Sequence, residues 1–278
     1  MDKNKRLTAK SVGLYLFLIL MGLVFAAPMA FTLLSSLKTK LEIFSAPFAL
    51  PEVLQLHNYV EAWEGANMSR YFLNSLVQAG ATVLILAVVS TMAAYVLSRF
   101  AFRINGFLLI FFLLGMTVPM HTVLVPISYM IGTLNLSDSI PALVLVYVAF
   151  NLPFSVIVMT NFMKGVNRSL EEAALIDGAG YFQIYLRVMV PLTKPAIATI
   201  SIFNFLNAWN NVIFPLLFIK NRNLKPIALG LLNFNGERAT EYGPLMAAIV
   251  ITVFVPMLFY LLFQEKVESG LAAGAVKE

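Results

Sequence analysis

The sequence predicts an all-α polytopic membrane protein, on the evidence of its composition and its long apolar segments. Of its 278 residues 60% are hydrophobic and only 12% are charged, whereas soluble domains carry about 25% charged residues. A helix that crosses a bilayer needs about 20 mostly apolar residues. Six segments meet this requirement, at 13–36, 72–98, 106–131, 140–163, 192–219 and 243–263.

Helix is the expected state of all six segments because the lipid interior offers the backbone no water as a hydrogen-bond partner. A membrane barrel would show alternating segments of about 10 residues, and these segments are far longer. The first segment follows Lys3, Lys5 and Arg6, as a secretion signal does. Its apolar run continues to about Leu34, beyond the roughly 7–15 residues of a typical signal, so we expect a retained span.

The distribution of basic residues predicts the orientation of the chain. Six spans place both termini on one side of the membrane, and that side receives twelve Lys and Arg residues against seven on the other. The positive-inside rule then predicts that both termini are cytoplasmic. The segments 37–70, 132–139 and 220–242 become external loops, although the last carries four basic residues and fits less well. The charged, turn-rich segment 171–191 becomes cytoplasmic.

The sequence lacks the residues and motifs that several classes of function require. The chain has no cysteine and only two histidines, which are far apart, so neither a disulfide nor a metal site is expected. No phosphate-binding loop or nucleophile motif occurs, so we expect no enzymatic activity. No Asp or Glu falls within the six segments, although ion-coupled transporters need such carboxylates. The basic residues lie beside apolar spans, which suits lipid headgroups better than nucleic acid.

The third segment contains two prolines, Pro119 and Pro126. Proline removes a backbone donor and kinks a helix, so a bend is expected there. His121 lies between them, and we expect a packed or interfacial side chain in preference to a proton relay.

The segment 169–191 predicts a short helix, a turn and a second short helix. Ser169 and Glu172 have the spacing of a capping box at a helix start. Gly178, after Asp177, predicts a break, because glycine tolerates left-handed geometry. The second helix is expected to place Phe182, Tyr185 and Met189 on one face. From these residues alone, an ordinary structured loop and a docking surface both stay open.

The same segment resembles a known signature. Glu172-Ala173-Ala174, three further residues, Gly178, nine further residues and then Val188-x-Val190-Pro191 are similar to the EAA signature. That signature marks the membrane subunits of ATP-binding-cassette (ABC) importers, and the two valines are conservative departures from it. The segment 207–218 and the C-terminal "VESGLAAGAVKE" resemble the carbohydrate branch, the maltose-type permeases.

The resemblance implies a MetI-like permease fold with a cytoplasmic coupling helix between spans four and five. It divides the chain into 1–70, with the first span and first external loop, a core domain 71–265 with the coupling loop 168–190, and a cytoplasmic tail 266–278. It also implies import of sugars or oligosaccharides across a bacterial inner membrane. Import of a polyol or a glycerol phosphate derivative is the alternative, and a self-sufficient secondary transporter is disfavoured.

The implied partners are a second homologous permease, an ABC ATPase dimer, an extracytoplasmic solute-binding protein and membrane lipid. No cofactor is expected on this chain, since ATP and Mg²⁺ would bind to the ATPase. The residues implied to contact the ATPase are Glu172, Ala173, Ala174, Asp177 and Gly178.

Polar side chains within the spans are candidates for a translocation path. In the fifth segment Asn204, Asn207 and Asn211 share one helix face, with Trp209 and Asn210 beside them. Asn74 and Gln78 start a similar row in the second segment, which continues to Thr82. Amides and an aromatic ring suit a sugar, whose hydroxyls need hydrogen bonds. Amides also hold membrane helices together, so both roles stay open.

The loop 220–242 is the candidate contact with a solute-binding protein, as the resemblance implies. Its candidate residues are Gly230, Asn233, Asn235 and Gly236. A polar, glycine-punctuated composition is also typical of ordinary surface loops.

Overall fold

The computed structural model describes residues 9–235 and 241–275, and within these ranges the chain is helical with no strand. The α-helices are α1 (Ala9–Ser36), α2 (Lys40–Ser45), α3 (His57–Val60), α4 (Met68–Arg99), α5 (Asn105–Thr117), α6 (Leu124–Thr133), α7 (Ile140–Lys164), α8 (Ser169–Ile176), α9 (Tyr181–Ile184), α10 (Val190–Leu192), α11 (Lys194–Asn210), α12 (Ile213–Phe218), α13 (Ile227–Gly230) and α14 (Tyr242–Ala275). Two π-helices, π1 (Glu61–Gly65) and π2 (Tyr185–Met189), and three 3₁₀ turns, Met120–Val123, Arg222–Leu224 and Leu231–Asn235, occur between them. The predicted all-α fold class is confirmed.

The number of spans depends on how two bent helix pairs are counted. Four helices, α1, α4, α7 and α14, are long and apolar enough to cross a bilayer. The helices at 105–117 and 120–133 meet at 87°, and those at 181–192 and 194–210 meet at 74°. If each bent pair is one span, the described residues contain six spans, as many as the sequence predicts. The second pair covers 181–210, however, whereas the predicted fifth span covers 192–219.

The bend in the third span lies where its first proline predicts it. Val118, which ends α5, and Pro119 both have extended backbone, with ψ of 113° and 121°. A proline disfavours helical geometry at the preceding residue, so the helix stops before Pro119 and restarts as a 3₁₀ turn. Pro126 lies inside α6 and does not break it.

The prediction of one helix across 192–219 is wrong. α11 ends at Asn210, and Asn211 is extended, with φ −73° and ψ 126°. The Asn211 side-chain oxygen accepts the Phe214 backbone N–H at 3.1 Å, at the start of α12. Asparagine offers the backbone this alternative to a continuous helix, so Asn211 lies outside the helix face that carries Asn204 and Asn207.

The chain divides into two compact units. The first contains the residues up to Met68 together with 231–253, and the second contains Ser69–Gly230 together with the residues from Phe254 onward. Helix α14 contributes its first part to the first unit and its second part to the other.

In the first unit, the segment after α1 is folded tightly onto itself. Ser36 Oγ and Tyr59 OH are hydrogen-bonded at 2.7 Å. Lys38 is only 1% exposed, and its ammonium donates to the carbonyls of Ala46 at 2.9 Å and Pro47 at 3.0 Å. A buried ammonium needs such partners, and these bonds fix the path of the chain beyond α2.

Helix α2 begins with a capping box formed by Thr39 and Glu42. Bonds from the Thr39 backbone N–H and then its hydroxyl hold the pKa of Glu42 below its ordinary value. The stability that this cap contributes is present above the ordinary carboxyl pKa, and it is lost as the pH falls through the lowered pKa.

In the second unit, α7 is the central helix and packs against α5, α11 and α12. The backbone of α5 approaches closely at Gly115, where a Cβ would lie 2.9 Å from Pro153 Cγ. The Asn204 side-chain amide of α11 donates to Ser155 Oγ of α7 at 2.9 Å. Small residues and polar contacts therefore set the helix spacing, as in other membrane bundles.

The connection after α12 is tied to its neighbours by backbone hydrogen bonds. Asp138, with φ +58°, precedes α7, and its carboxylate accepts the N–H groups of Lys220 at 2.9 Å and Asn221 at 2.8 Å. The Asp138 N–H donates to the Phe218 carbonyl at 2.8 Å. Residues 218–221 are thus held in a fixed position beside the start of α7.

Gly230, at the end of α13, packs directly on Tyr71 at the start of α4. A Cβ on Gly230 would overlap the Tyr71 ring, with Cε2 only 2.9 Å away. Tyr71 is fully buried, and its hydroxyl accepts a bond from Arg222 Nε at 3.3 Å, so the ring has no free space to move into. The glycine is required by packing.

We expect Gly230→Ala to destabilise the protein by about 1–3 kcal/mol, because it overpacks a buried contact. Gly80→Ala in α4 is the matched control, since a Cβ there meets nothing within 4 Å and alanine favours helix. Thermal unfolding of the purified variants in detergent measures both effects. Equal unfolding temperatures for the two variants would contradict the packing role of Gly230.

Candidate functional site

The connection between α7 and α11, residues 165–193, is the candidate site, and it begins with α8. The predicted capping box of Ser169 and Glu172 is wrong, because Ser169 is already the first residue of α8 and no side-chain cap forms at Arg168. Instead the Asn167 side-chain oxygen accepts the Ser169 N–H at 3.0 Å. Glu171 lies with Glu172 in the first turn, where negative charge favours a helix start.

The turn predicted at Asp177-Gly178 is confirmed. Gly178 has φ +83°, its N–H donates to the Leu175 carbonyl at 3.0 Å, and the Ala179 N–H donates to the Ala174 carbonyl at 2.9 Å. These two bonds form a Schellman motif, which needs a left-handed residue at this position. Glycine adopts that conformation without steric cost, so Gly178 defines where α8 ends.

The second predicted helix is present, but a π-helix alters its faces. The chain continues through α9, π2 and α10. Tyr185 and Met189 are buried, as one shared face predicts, whereas Phe182 is 64% exposed. The Phe182 ring nevertheless lies 6.1 Å from the Tyr185 ring, so these two side chains share one side of the segment. The wider turn of π2 changes the register only beyond Tyr185.

The inner side of the connection packs on the ends of α4 and α7. Tyr185 and Met189 belong to a buried cluster with Tyr95 of α4 and Met163 of α7. Tyr185 OH and Thr91 Oγ1 are 2.8 Å apart. The connection is therefore part of the core of the second unit and not a mobile surface loop.

An ion pair between Arg99 and Glu171 joins α4 to α8. Arg99 Nε lies 2.5 Å from Glu171 Oε1, and the two side chains are only 6% and 12% exposed. Breaking a buried pair by removing one partner leaves an uncompensated charge, which costs about 3–5 kcal/mol. The sequence placed both residues on one side of the membrane, but their spacing along the chain gave no signal that they meet.

The outer side of α8 is open. Four of the five residues implied to contact an ATPase are exposed, namely Glu172, Ala173, Asp177 and Gly178, whereas Ala174 is half-buried. Ile176 is 86% exposed. The outer side of α8 therefore leaves these side chains accessible in the isolated chain.

The asparagines proposed for a translocation path fall into two groups. Asn204 is fully buried and bonded to Ser155, and Trp209 is buried with its ring stacked on Phe205 at 5.4 Å. Asn207 and Asn210 are exposed on α11. Asn207 and Asn210 are therefore the members of the row whose side chains are exposed in the isolated chain.

The side chains of the second row bond to the protein. The Gln78 amide donates to the Ala208 carbonyl of α11 at 3.0 Å. The Asn74 amide donates to the carbonyls of Asn223 at 2.8 Å and Lys225 at 3.0 Å. Both amides hold elements together in this conformation.

The residues proposed to contact a solute-binding protein differ in where the structure places them. Gly230 is buried against Tyr71. Asn233 lies half-buried in the following 3₁₀ turn, and Asn235 ends that turn. Gly236 lies outside the described residues.

The chain matches the family model described as "Binding-protein-dependent transport system inner membrane component" over residues 87–272. This match covers most of the chain and contains the whole connection between α7 and α11. The protein is a member of this permease family. The predicted resemblance is confirmed.

The permease is similar to several characterised relatives along its length. It is 34% identical to the diacetylchitobiose uptake system permease protein NgcG of Streptomyces coelicolor, covering 99% of this chain and 91% of the relative. It is 32% identical to the sulfoquinovosyl glycerol transport system permease protein SmoH of Agrobacterium fabrum, covering 90% and 88%. It is 28% identical to the arabinooligosaccharides transport system permease protein AraQ of Bacillus subtilis, covering 96% and 95%.

Solved structures show that the permease shares the fold of an ABC importer subunit. A crystal structure of a bacterial ABC transporter involved in the import of the acidic polysaccharide alginate matches with a TM-score of 0.84. That match covers 95% of the permease and 99% of the other chain at 19% identity. The predicted MetI-like fold is therefore confirmed.

We expect Gly178→Val to loosen the end of α8, because a β-branched residue at positive φ costs roughly 1–2 kcal/mol. Hydrogen exchange of peptides covering 169–180 is expected to become about 5- to 30-fold faster. Gly178→Asn is expected to have a smaller effect, since asparagine tolerates this conformation.

The matched control is Gly180→Ala. Gly180 has φ −75°, and a Cβ there meets nothing within 4 Å, so its exchange is expected to equal that of the parent. Unchanged exchange in Gly178→Val would show that the glycine is not required for the turn.

Proposed function

We propose that this permease imports sugars or oligosaccharides and that the exposed face of α8 docks on a separate ATPase subunit. The observation that carries the proposal is the combination of the EAA-type residues on an open helix face with their fixed attachment underneath. An α-helix of eight residues would not hold its position alone. Because it packs on the core of the second unit, α8 would present a fixed surface to a protein partner.

The names of its relatives support a carbohydrate as the solute. These names include diacetylchitobiose, arabinooligosaccharides and melibiose, raffinose and stachyose. An acidic solute such as a glycerol phosphate derivative is the second candidate, because Lys220 and Arg222 are exposed on the connection after α12. The exposed amides of Asn207 and Asn210 would serve either kind of solute, since both present hydroxyl groups.

The permease would act in an assembly with a companion permease, two ATPase subunits and a solute-binding protein. A solved relative is an alginate ABC transporter in complex with a periplasmic protein that holds an alginate pentasaccharide, which supports a binding-protein partner. ATP and Mg²⁺ would bind to the ATPase, and closure of the ATPase dimer would move α8 and with it the spans. Alternating access then requires two discrete packings of the bundle.

In this proposal α8 faces the cytoplasm and residues 220–225 face the opposite side, with both termini cytoplasmic. The count of basic residues supports this orientation.

We expect Ile176→Asp to release the ATPase, because the side chain is 86% exposed in the isolated chain and would be buried in the complex. Loss of one buried isoleucine contributes about 2 kcal/mol, equivalent to about thirtyfold in affinity. The measurement is the amount of ATPase that co-purifies with the tagged permease. Leu50→Asp is the control, since Leu50 is also highly exposed, at 78%, and lies far from α8 in sequence. Undiminished ATPase with Ile176→Asp would contradict docking through α8.

The absence of cysteine permits a direct test of orientation. We expect Ile176→Cys to react with an impermeant maleimide only in inside-out vesicles, and Lys220→Cys only in right-side-out vesicles, because both positions are exposed. Labelling of both variants from the same side would contradict the proposed topology.

A further inference from the structure

We propose that the Arg99–Glu171 ion pair is a rigid joint that transmits the motion of α8 to α4 and α7. This inference rests on the proposed function and adds the route by which a pull on α8 reaches the spans. Arg99 is thus a positioning residue, and it contacts neither solute nor nucleotide.

The Arg99 guanidinium connects four elements at one point. Arg99 is the last residue of α4, and its Nε lies 2.5 Å from Glu171 Oε1 of α8. Its Nη2 donates to the carbonyl of Val166, just beyond α7, at 3.0 Å. The same nitrogen lies 3.8 Å from Met189 Sδ in π2. A displacement of α8 at Glu171 therefore acts at once on the ends of two spans and on the start of the path to α11.

Helix α8 has few other attachments through its side chains. Of its eight residues, only Glu171 is buried and only Ala174 is half-buried, whereas the other six are exposed. Ala174 contributes one methyl group to the buried cluster. A force applied to the exposed face has the ion pair as its main polar route into the bundle.

The chemistry of arginine suits a joint that must keep its angle. The guanidinium is planar and presents its donors in a fixed fork, so contacts with Glu171 and with the Val166 carbonyl restrain rotation as well as distance. The contact with Glu171 is an ion pair without hydrogen-bond geometry, whereas Nη2 makes the hydrogen bond to Val166. The low exposure of both paired side chains limits competition from water. Lysine carries the charge without the fork, so Arg99→Lys is expected to preserve attraction but lose angular restraint.

The test measures whether α8 and α4 move as one body. Because the chain has no cysteine, spin labels can be attached at Leu170→Cys on α8 and Val89→Cys on α4, which are 47% and 40% exposed. The labelled permease is purified with its partner subunits in lipid nanodiscs, and pulsed electron resonance gives the distance distribution with and without ATP and Mg²⁺. The parent is expected to give one narrow distribution that nucleotide leaves unchanged.

Variants at the joint are expected to let α4 and α8 move independently of each other. The distance distribution should become broader and nucleotide-dependent in Arg99→Ala, Arg99→Lys and Glu171→Gln. It should become narrow again in the double variant that exchanges the two charges, Arg99→Glu with Glu171→Arg. ATP hydrolysis stimulated by the binding protein should fall by about 2- to 30-fold in the single variants, the range typical of coupling residues. Arg103→Ala is the matched control, because Arg103 is exposed on the segment after α4 and should behave as the parent.

Several outcomes would overturn the joint. The first is a label-to-label distance that changes with nucleotide in the parent protein. The second is a set of single variants whose distance distributions are as narrow as that of the parent. The third is a charge-swapped double variant whose distance distribution stays broad. A merely structural pair would lower the unfolding temperature of the variants without broadening the distribution in the folded fraction. Absence of an ATPase from the purified complex would count against the proposed function. In that case the widths of the distance distributions recorded without nucleotide would decide for or against the joint.

Discussion

The lack of hydrogen-bond partners in lipid hydrocarbon is the constraint on which this structure depends. Every backbone group in the spans must be satisfied within the chain, and several buried side-chain amides also donate to partners inside the protein. Asn204 donates to Ser155, Gln78 to the Ala208 carbonyl, and Asn151 to the Tyr147 carbonyl at 2.8 Å. The first bond joins α11 to α7 and the second joins α4 to α11, whereas the third lies within α7.

The same constraint concentrates charge and irregular backbone at the ends of the spans. The left-handed Gly178, the π-helix at 185–189 and the ion pair of Arg99 with Glu171 all lie in the connection between α7 and α11. A bundle that is rigid through its middle can change shape only where its ends are joined. The connection therefore combines irregular backbone with the buried ion pair that joins α8 to α4.

Hydropathy predicted the long helices well, because length and apolarity follow directly from the thickness of the bilayer. The Gly178 turn and the bend at Pro119 were also predictable, since each depends on one residue with restricted or unusual backbone geometry. The break at Asn211 was not, because an asparagine inside an apolar run also fits a helix that lines a path. Only the extended backbone at Asn211, with its bond to Phe214, distinguishes these cases.

Side-chain contacts between segments that are distant along the chain could not be predicted from the sequence. Arg99 and Glu171 are each ordinary for a span end and a helix start, and a single sequence holds no signal of their contact. The π-helix at 185–189 and the exposure of Phe182 were equally hidden in the sequence. The EAA-type spacing nevertheless located the connection, since its glycine, its small residues and its proline have fixed positions along the chain.

Helix α1 has a different consequence, which concerns the order of assembly. None of its most apolar window is buried within the chain, and a Cβ at Gly13 or Gly22 would meet nothing within 4 Å. Acyl chains solvate such a helix as well as protein does, so it can be inserted and persist without neighbours. Where such a helix does associate in a membrane, close van der Waals fit at small residues selects the partner, and that step can follow insertion independently.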